Sequence, residues 1–448
     1  MLIRFFFRSG FQAGKVKRKT IDNCEQSVRL GLDTIRKLIA AEEPDVEILS
    51  MDEALGSGRG DNYTSMLYRL SVKGRKRGPA GEEQPWERSI IYKVLPESQE
   101  RRDAFKSELL FRNEVVFYTK VWPALMELQT EGKVVFNGLA KIYIARDDLI
   151  AMEDLRAKGF KMADRRKGLQ VDKLKHVLKA LAGFHALSLT LKDLRPDVFA
   201  RLSNPENAKA GEAVQETLFR MENVEWYRQY YRTATSNAFK MVSEGLPESL
   251  EPRRDEILGK FRDFLKEDTF FSTMCKLTAA QGPLTVVCHG DCWTNNFLFK
   301  EKNDPDSEAV CLVDFQLVRV GSLALDLAYI FYCCTSGELR KVYMTQLLQH
   351  YHRHLMSALY TLNPAAESTK DPATMWNLLT EEMHRCSLFG LGSALDMLPI
   401  STCTSDQAPD VYEGKEASER MLAPPPAGAE CTRLMTDLVV ELVNNRAI

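Results

Sequence analysis

The sequence lacks the spacings and runs that mark several protein classes. Its ten cysteines (Cys24, Cys275, Cys288, Cys292, Cys311, Cys333, Cys334, Cys386, Cys403 and Cys431) are scattered and form no CxxC pair. That argues against a structural zinc site and a disulfide framework, and for reduced thiols in the cytosol. There is no excess of charge: 60 Lys plus Arg stand against 62 Asp plus Glu, a formal charge of −2. No net field is available to hold a polyanion, which argues against a nucleic-acid binder. No stretch approaches the ~20 apolar residues that cross a bilayer; the best, around Ala328–Cys334, is far too short. Internal repeats are absent. What is present is 448 residues with 44% hydrophobic content, enough for a sizeable core in about two or three units.

Residues 1–20 carry six basic residues and no acidic one. A mitochondrial presequence has that character, but Ser is sparse, which favours a solvated basic lead-in to a helix over 21–41 and a cytoplasmic protein. Strand-like runs follow at 46–50, 63–72 and 89–94, with the charged stretch GRKRGPAGEEQPWE (74–87) read as a loop. The pattern predicts a helix over 105–128 with Pro123 as a possible break, and strands at 133–137, 140–144 and 149–155. Beyond 155 the pattern is helical: Val171, Leu174, Val177, Leu178, Leu181 and Phe184 share a face, and 212–242 and 253–278 are helical in pattern. Short β-like runs at 284–287, 297–299 and 310–313 interrupt it. A long loop over 401–430 precedes a final helix near 431–444. The expected architecture is α+β: a sheet-rich lobe (1–155) joined to a mainly helical lobe (156–448).

The most informative segment is VVCHGDCWTNNFLFK (286–300), followed by CLVDFQ (311–316). A strand delivers His289-Gly290-Asp291 to a loop, Asn296 stands five residues after Asp291, and a hairpin return presents Asp314. Kinase-type phosphoryl transfer needs this set: one carboxylate to accept a hydroxyl proton, and an amide oxygen plus a second carboxylate to hold the metal ions that bridge the phosphates. Each half is weak alone; both in order, a hairpin apart, are specific.

The expected upstream partners are present. The loop GSGRGDN (56–62) places Gly56, Ser57, Gly58 and Gly60 between two strands, where backbone N–H groups can cover phosphates. Lys93, inside the apolar run 90–94, must point where its charge is satisfied. The following helix offers Glu114, preferred as its partner, or Glu108. The transition at Met152-Glu153-Asp154-Leu155 suits backbone recognition of adenine, with Glu153 and Leu155 as the contacts.

A protein kinase is disfavoured. Gly290 replaces the usual arginine and Gln316 the usual glycine. Only eleven residues separate Asp314 from Asp326, too few for a peptide-docking activation segment. The acceptor is therefore a small molecule. The motifs HGDCWTNN, VDFQ with GSLALDLAYI behind it, MEDL, LAGFHALS and GDNYTSMLYR resemble the insect ecdysteroid kinase-like (CHK kinase-like) family, a relative of choline kinases and aminoglycoside phosphotransferases. The resemblance spans about residues 40–350. It implies a protein-kinase-like two-lobed fold and phosphorylation, with ATP and Mg2+, of a hydroxyl on a small, lipophilic, ecdysteroid-like molecule. It implies Asp291 as base, Asn296 and Asp314 as metal ligands, Lys93 as phosphate contact with Glu114 as its partner, and Asp326 as an acid bracing the catalytic loop. A choline- or ethanolamine-type kinase and a nucleotide-binding pseudokinase scaffold are the alternatives; no protein partner is evident.

Other candidates read as structural. His185 and His289 suit hydrogen-bonded bracing roles, His350, His352 and His354 lack further metal ligands, and Cys288 and Cys292 look like apolar fillers. The aromatic residues of 219–241 either wall an apolar or cationic-ligand pocket or pack between helices.

Overall fold

The computed structural model describes residues 28–56, 64–79, 81–205, 208–209, 211–300, 309–404 and 428–448. Ser57, Gly58 and Gly60, the 1–20 leader and most of the 401–430 loop lie outside the described residues.

Period-two alternation on the third strand decides how the first lobe is built. Strands β1 (Val46–Leu55), β2 (Met66–Arg77), β3 (Glu83–Val94), β4 (Ile142–Arg146) and β5 (Leu149–Glu153) form an antiparallel sheet of order β1-β2-β3-β5-β4. Ile90, Tyr92 and Val94 turn to one face, beneath Ile35 and Ile39 of helix α1 (Leu32–Glu42). Ile91 and Lys93 therefore turn to the other, toward α3 (Ser107–Val116), which follows the short helix α2 (Gln99–Phe105), because successive side chains on a strand alternate faces. On β5, Ile150 opposite Lys93 and Met152 opposite Ile91 share that inner face.

The second lobe is helical. Helices α5 (Val171–Leu194), α6 (Pro196–Ser203), α7 (Val224–Gly245), α8 (Arg254–Leu265) and α9 (Glu267–Thr278) precede four short strands. After a short α4 (Trp122–Met126) in the first lobe and a two-residue strand β6 (Lys161–Met162), these strands are β7 (Thr285–Cys288), β8 (Phe297–Lys300), β9 (Ala309–Leu312) and β10 (Arg319–Ser322). They pair as β10-β7 and β6-β8-β9. Helices α10 (Ala324–Cys333), α11 (Gly337–Leu362), α12 (Ala366–Thr369), α13 (Pro372–Thr402) and α14 (Ala429–Asn444) close the lobe. One continuous apolar core runs from the inner face of the sheet through α5, α10 and α13. No helix among the described residues is long and apolar enough to cross a membrane.

The structure corrects several sequence expectations. The 74–87 stretch is mostly strand, with Gly74 opposite Trp86 and Arg77 opposite Glu83. Charges on this exposed hairpin find partners: Arg75 lies 3.0 Å from Glu83 on the facing strand, as opposite charges across strands should, and Lys76 lies 2.6 Å from Glu43 at the end of α1. The 105–128 helix is divided at Lys106, whose φ is 52°, and passes through a π-helical turn over 117–121. Pro123 sits in the first turn of α4, directly after that π-helical turn, and does not end the helical path. Residues 133–137 form no strand: the Gln129 side chain accepts the Val135 and Phe136 N–H groups, both at 2.9 Å. The helix expected from 212 starts only at Val224; of the one expected over 21–41, residues 21–27 lie outside the described residues, 28–31 are not helical, and α1 begins at Leu32.

Candidate active site

Lys93 is buried to 3% exposure, yet its charge is fully satisfied. Its ammonium donates to Glu114 Oε2 at 2.7 Å and to Asp314 Oδ1 at 2.6 Å. Burial alone would lower the lysine pKa, but the Asp314 and Glu114 carboxylates hold it above its ordinary value. An ammonium between two carboxylates stays ionised in a dry site. Of the two glutamates considered, Glu114 is the partner; Glu108 is exposed and 3.7 Å from Arg102.

Asp314 follows β9 with φ 67° and ψ 69°. That left-handed turn is rare outside glycine and swings its carboxyl back across to β3. The aspartate of the other motif lies opposite. Asn296 Nδ2 donates to the Asp291 carbonyl at 2.9 Å and to Asp291 Oδ2 at 3.0 Å, and Tyr329 OH donates to Asp291 Oδ1 at 2.9 Å. Burial, and next the charge of Asp314, push the Asp291 carboxyl up to about 7, against the pull of these hydrogen bonds. A carboxyl poised near neutrality suits proton acceptance from a hydroxyl.

The loop bearing Asp291 is clamped from below. Asp326 accepts the N–H of His289 at 2.7 Å and that of Gly290 at 2.9 Å. His185 Nε2 lies 3.1 Å from Asp326, and its Nδ1 lies 2.7 Å from Tyr351 OH. His289 Nδ1 accepts the Asp291 N–H at 3.2 Å while its Nε2 lies 3.0 Å from the Val313 carbonyl. The ring therefore carries its proton on Nε2 and joins the two motifs. Gly290 has φ +86°, and a Cβ there would lie 1.8 Å from the Leu317 carbonyl oxygen. An arginine is sterically impossible at this position, which accounts for the departure from the protein-kinase motif.

A cleft of about 170 Å³ between the lobes is lined by Gly56, Lys93, Glu114, Glu153, Leu155, Asn296 and Asp314, with Ile91, Met152 and Leu298 as apolar walls. The connector 153–155 is fixed by Asp154, whose Oδ2 accepts from Arg69 and from Ser89, both at 2.7 Å. The Glu153 N–H is spent on the Lys141 carbonyl at 2.9 Å. Leu155 N–H makes no hydrogen bond among the described residues, so of the two it is the one open to the cleft's contents.

The donor set suits a hard cation. The Asn296 amide nitrogen is committed to Asp291, so its oxygen is the atom that would ligate a cation, and Asp314 could add a carboxylate oxygen. Among the described residues no cluster of three or more His, Cys, Asp or Glu stands ready to hold a metal. Mg2+ is bound through one or two protein oxygens plus substrate phosphates, so Asn296 and Asp314 together could hold one.

Sequence reading missed Arg69, Asn113, Tyr329, Glu216 and Arg319. Tyr329 had a signal, lying three residues after Asp326 on one helix. The aromatic residues of 219–241 are mostly packing: Tyr227 and Tyr231 are buried and stack at 5.2 Å, and Tyr227 stacks on Phe271 at 4.5 Å. Cys288 and Cys292 are fully buried and their thiols are pushed well up by burial, so they are unreactive fillers.

A lysine–glutamate pair under a five-stranded sheet, an aspartate-bearing loop braced from a helix and a second aspartate on a hairpin return define a kinase-like phosphotransferase with a two-lobed, protein-kinase-like fold. The chain belongs to the ecdysteroid kinase-like family, whose model matches residues 59–364, more than half of its length. A search of curated proteins finds no match. Among solved structures, it is similar to wild-type aminoglycoside 2'-phosphotransferase-IIIa in its GDP complex (14% identity over 78% of this chain and 97% of that one, TM-score 0.31). A variant of that enzyme with GDP gives 15% identity, 81% and 88% coverage and TM-score 0.35. A microcompartment-associated aminopropanol kinase gives 11%, 93%, 98% and 0.33.

Proposed function

We propose that the protein transfers the γ-phosphoryl group of ATP, with Mg2+, to a hydroxyl of a small, lipophilic, ecdysteroid-like molecule in the cytoplasm. The observation that carries this reading is Lys93 Nζ bridging Glu114 and Asp314 on the cleft wall, across from Asp291 and Asn296. The division of labour follows the two lobes, residues 1–155 holding the nucleotide and 156–448 the acceptor and the reacting carboxylates.

In this reading Leu155 N–H and the backbone at Glu153 receive adenine against Ile91 and Met152. Gly56, with Ser57, Gly58 and Gly60, covers the phosphates, and Lys93 neutralises them while Glu114 keeps its ammonium in place. Asn296 and Asp314 would hold Mg2+, which on binding shields the phosphate charge that opposes attack. Asp291 accepts the acceptor's hydroxyl proton as the oxygen bonds to the γ-phosphorus and the bond to ADP breaks. Tyr329 and Asn296 orient the Asp291 carboxyl for that transfer.

The reading is tested by incubating purified protein with isotope-labelled ATP and Mg2+, with an ecdysteroid or with choline. Label in the ecdysteroid supports it. Label in choline alone moves the acceptor class to a choline-type kinase, and label in neither, tested against a wider library of hydroxylated metabolites, removes the lipophilic acceptor.

A further inference from the structure

In protein kinases an activation segment locks the metal motif and the glutamate helix together, through a phosphate paired with arginine. With eleven residues between Asp314 and Asp326, this chain has no such segment, yet Glu114 and Asp314 must still meet Lys93. We propose that residues 215–219 are a fixed strut doing this work, with Glu216 and Asn113 as positioning residues, so that the site assembles without phosphorylation. The inference rests on the roles given above to Glu114 and Asp314.

The segment is tied on two sides. Toward α3 the link is Asn113, buried to 2% exposure and adjacent in sequence to Glu114. Its Oδ1 accepts the Gln215 N–H at 3.0 Å. Its Nδ2 donates to the Val318 carbonyl at 2.6 Å, with the Gln215 and Gln316 carbonyls at 3.2 and 3.4 Å. One amide thus joins the glutamate helix, the strut and the turn that follows Asp314.

Toward β10 the link is a charge pair. Glu216 Oε2 lies 2.9 Å from Arg319 Nε, with Arg319 buried to 2%. The approach is off-line for a hydrogen bond, so the attraction is electrostatic. The guanidinium also lies over the Phe389 ring at 5.3 Å, and its Nη1 has no hydrogen-bond partner among the described residues. Arg319 pairs across the sheet with Cys288, next to His289, so the strut reaches the strand that delivers Asp291. The other carboxylate oxygen, Oε1, accepts the Leu218 and Phe219 N–H groups at 2.8 and 2.9 Å, which fixes the carboxylate on its own loop. A buried guanidinium requires an anion. Here a carboxylate supplies it permanently, where an added phosphoryl group would supply it conditionally.

The test measures ADP release from Mg-ATP with water as acceptor, and Mg-AMP-PNP binding by calorimetry, on the full chain with and without phosphatase treatment. Phosphatase should leave wild-type turnover unchanged. Glu216→Gln and Asn113→Ala should each lower kcat by about tenfold or more, as misplacement of reacting groups does, while KM for ATP changes far less. Arg319→Lys should recover part of what Arg319→Met loses. Thermal melts of both strut variants within a few degrees of wild type would confirm that positioning, not unfolding, is read. The proposal is overturned if both variants turn over like wild type, or if phosphatase abolishes wild-type turnover. A wild-type protein that fails to bind Mg-AMP-PNP overturns instead the nucleotide-site reading on which the strut depends.

Discussion

Tyr329 donates its hydroxyl proton to Asp291 Oδ1 at 2.9 Å, three residues along α10 from Asp326, which grips the backbone of the same loop. One helical face thus holds both the main chain and the side chain of the proposed base, since residues i and i+3 lie side by side. Tyr329→Phe keeps the ring and removes the bond. Its kcat should fall about tenfold with Mg-nucleotide affinity unchanged, measured by turnover and calorimetry on one preparation.

Lys93 is the charge on which two acids depend. Lys93→Met leaves Glu114 and Asp314 facing each other in a buried site, and breaking such a set from one side costs about 3 kcal/mol. Urea denaturation should show that loss, together with loss of Mg-ATP binding.

Gly290 has no room for a side chain, since a Cβ would meet the Leu317 carbonyl at 1.8 Å and φ is +86°. Gly290→Ala must therefore displace the metal-motif turn. It should lower the melting temperature by several degrees and abolish turnover, whereas Gly259→Ala, at a position with open space, should do neither.

Asp396 on α13 gives a pH signature. Burial pushes its carboxyl up to about 7, with a hydrogen bond from Tyr231 pulling the other way. The unfolded chain releases that proton near pH 4, so between about 4 and 7 the folded state binds more protons and the contribution to stability falls as pH rises. Asp396→Asn removes this dependence. The difference in melting temperature between variant and wild type should grow in the variant's favour from pH 5 to pH 8.

The motifs of the candidate site were legible in the sequence because their chemistry fixes short spacings: Asp291 to Asn296, and the hairpin that returns Asp314. The apolar run 90–94 also marked Lys93 as a lysine that must point where its charge is satisfied. The strut was not legible, whereas Asp326, His185 and His289 were read as bracing groups. Asn113 touches Gln215 and Glu216 touches Arg319 across about a hundred residues of chain, and Asn113 touches Val318 across about two hundred, and no periodicity encodes contacts of that range. The 74–87 hairpin was misread because its charges look like loop chemistry until their partners on β3 and α1 are seen, and 212–223 because side chains take the N–H groups of Gln215, Leu218 and Phe219 and a distant carbonyl takes that of Val214.

The central claim is that Asp314, Asn296 and Lys93 receive a magnesium-bound triphosphate while Asp291 acts on the acceptor. Calorimetric titration of Mg-ATP into Asp314→Ala and Asp291→Ala separates these duties most directly. Binding should be lost or greatly weakened in Asp314→Ala and nearly intact in Asp291→Ala, whose turnover should vanish. Wild-type affinity in Asp314→Ala would contradict the account.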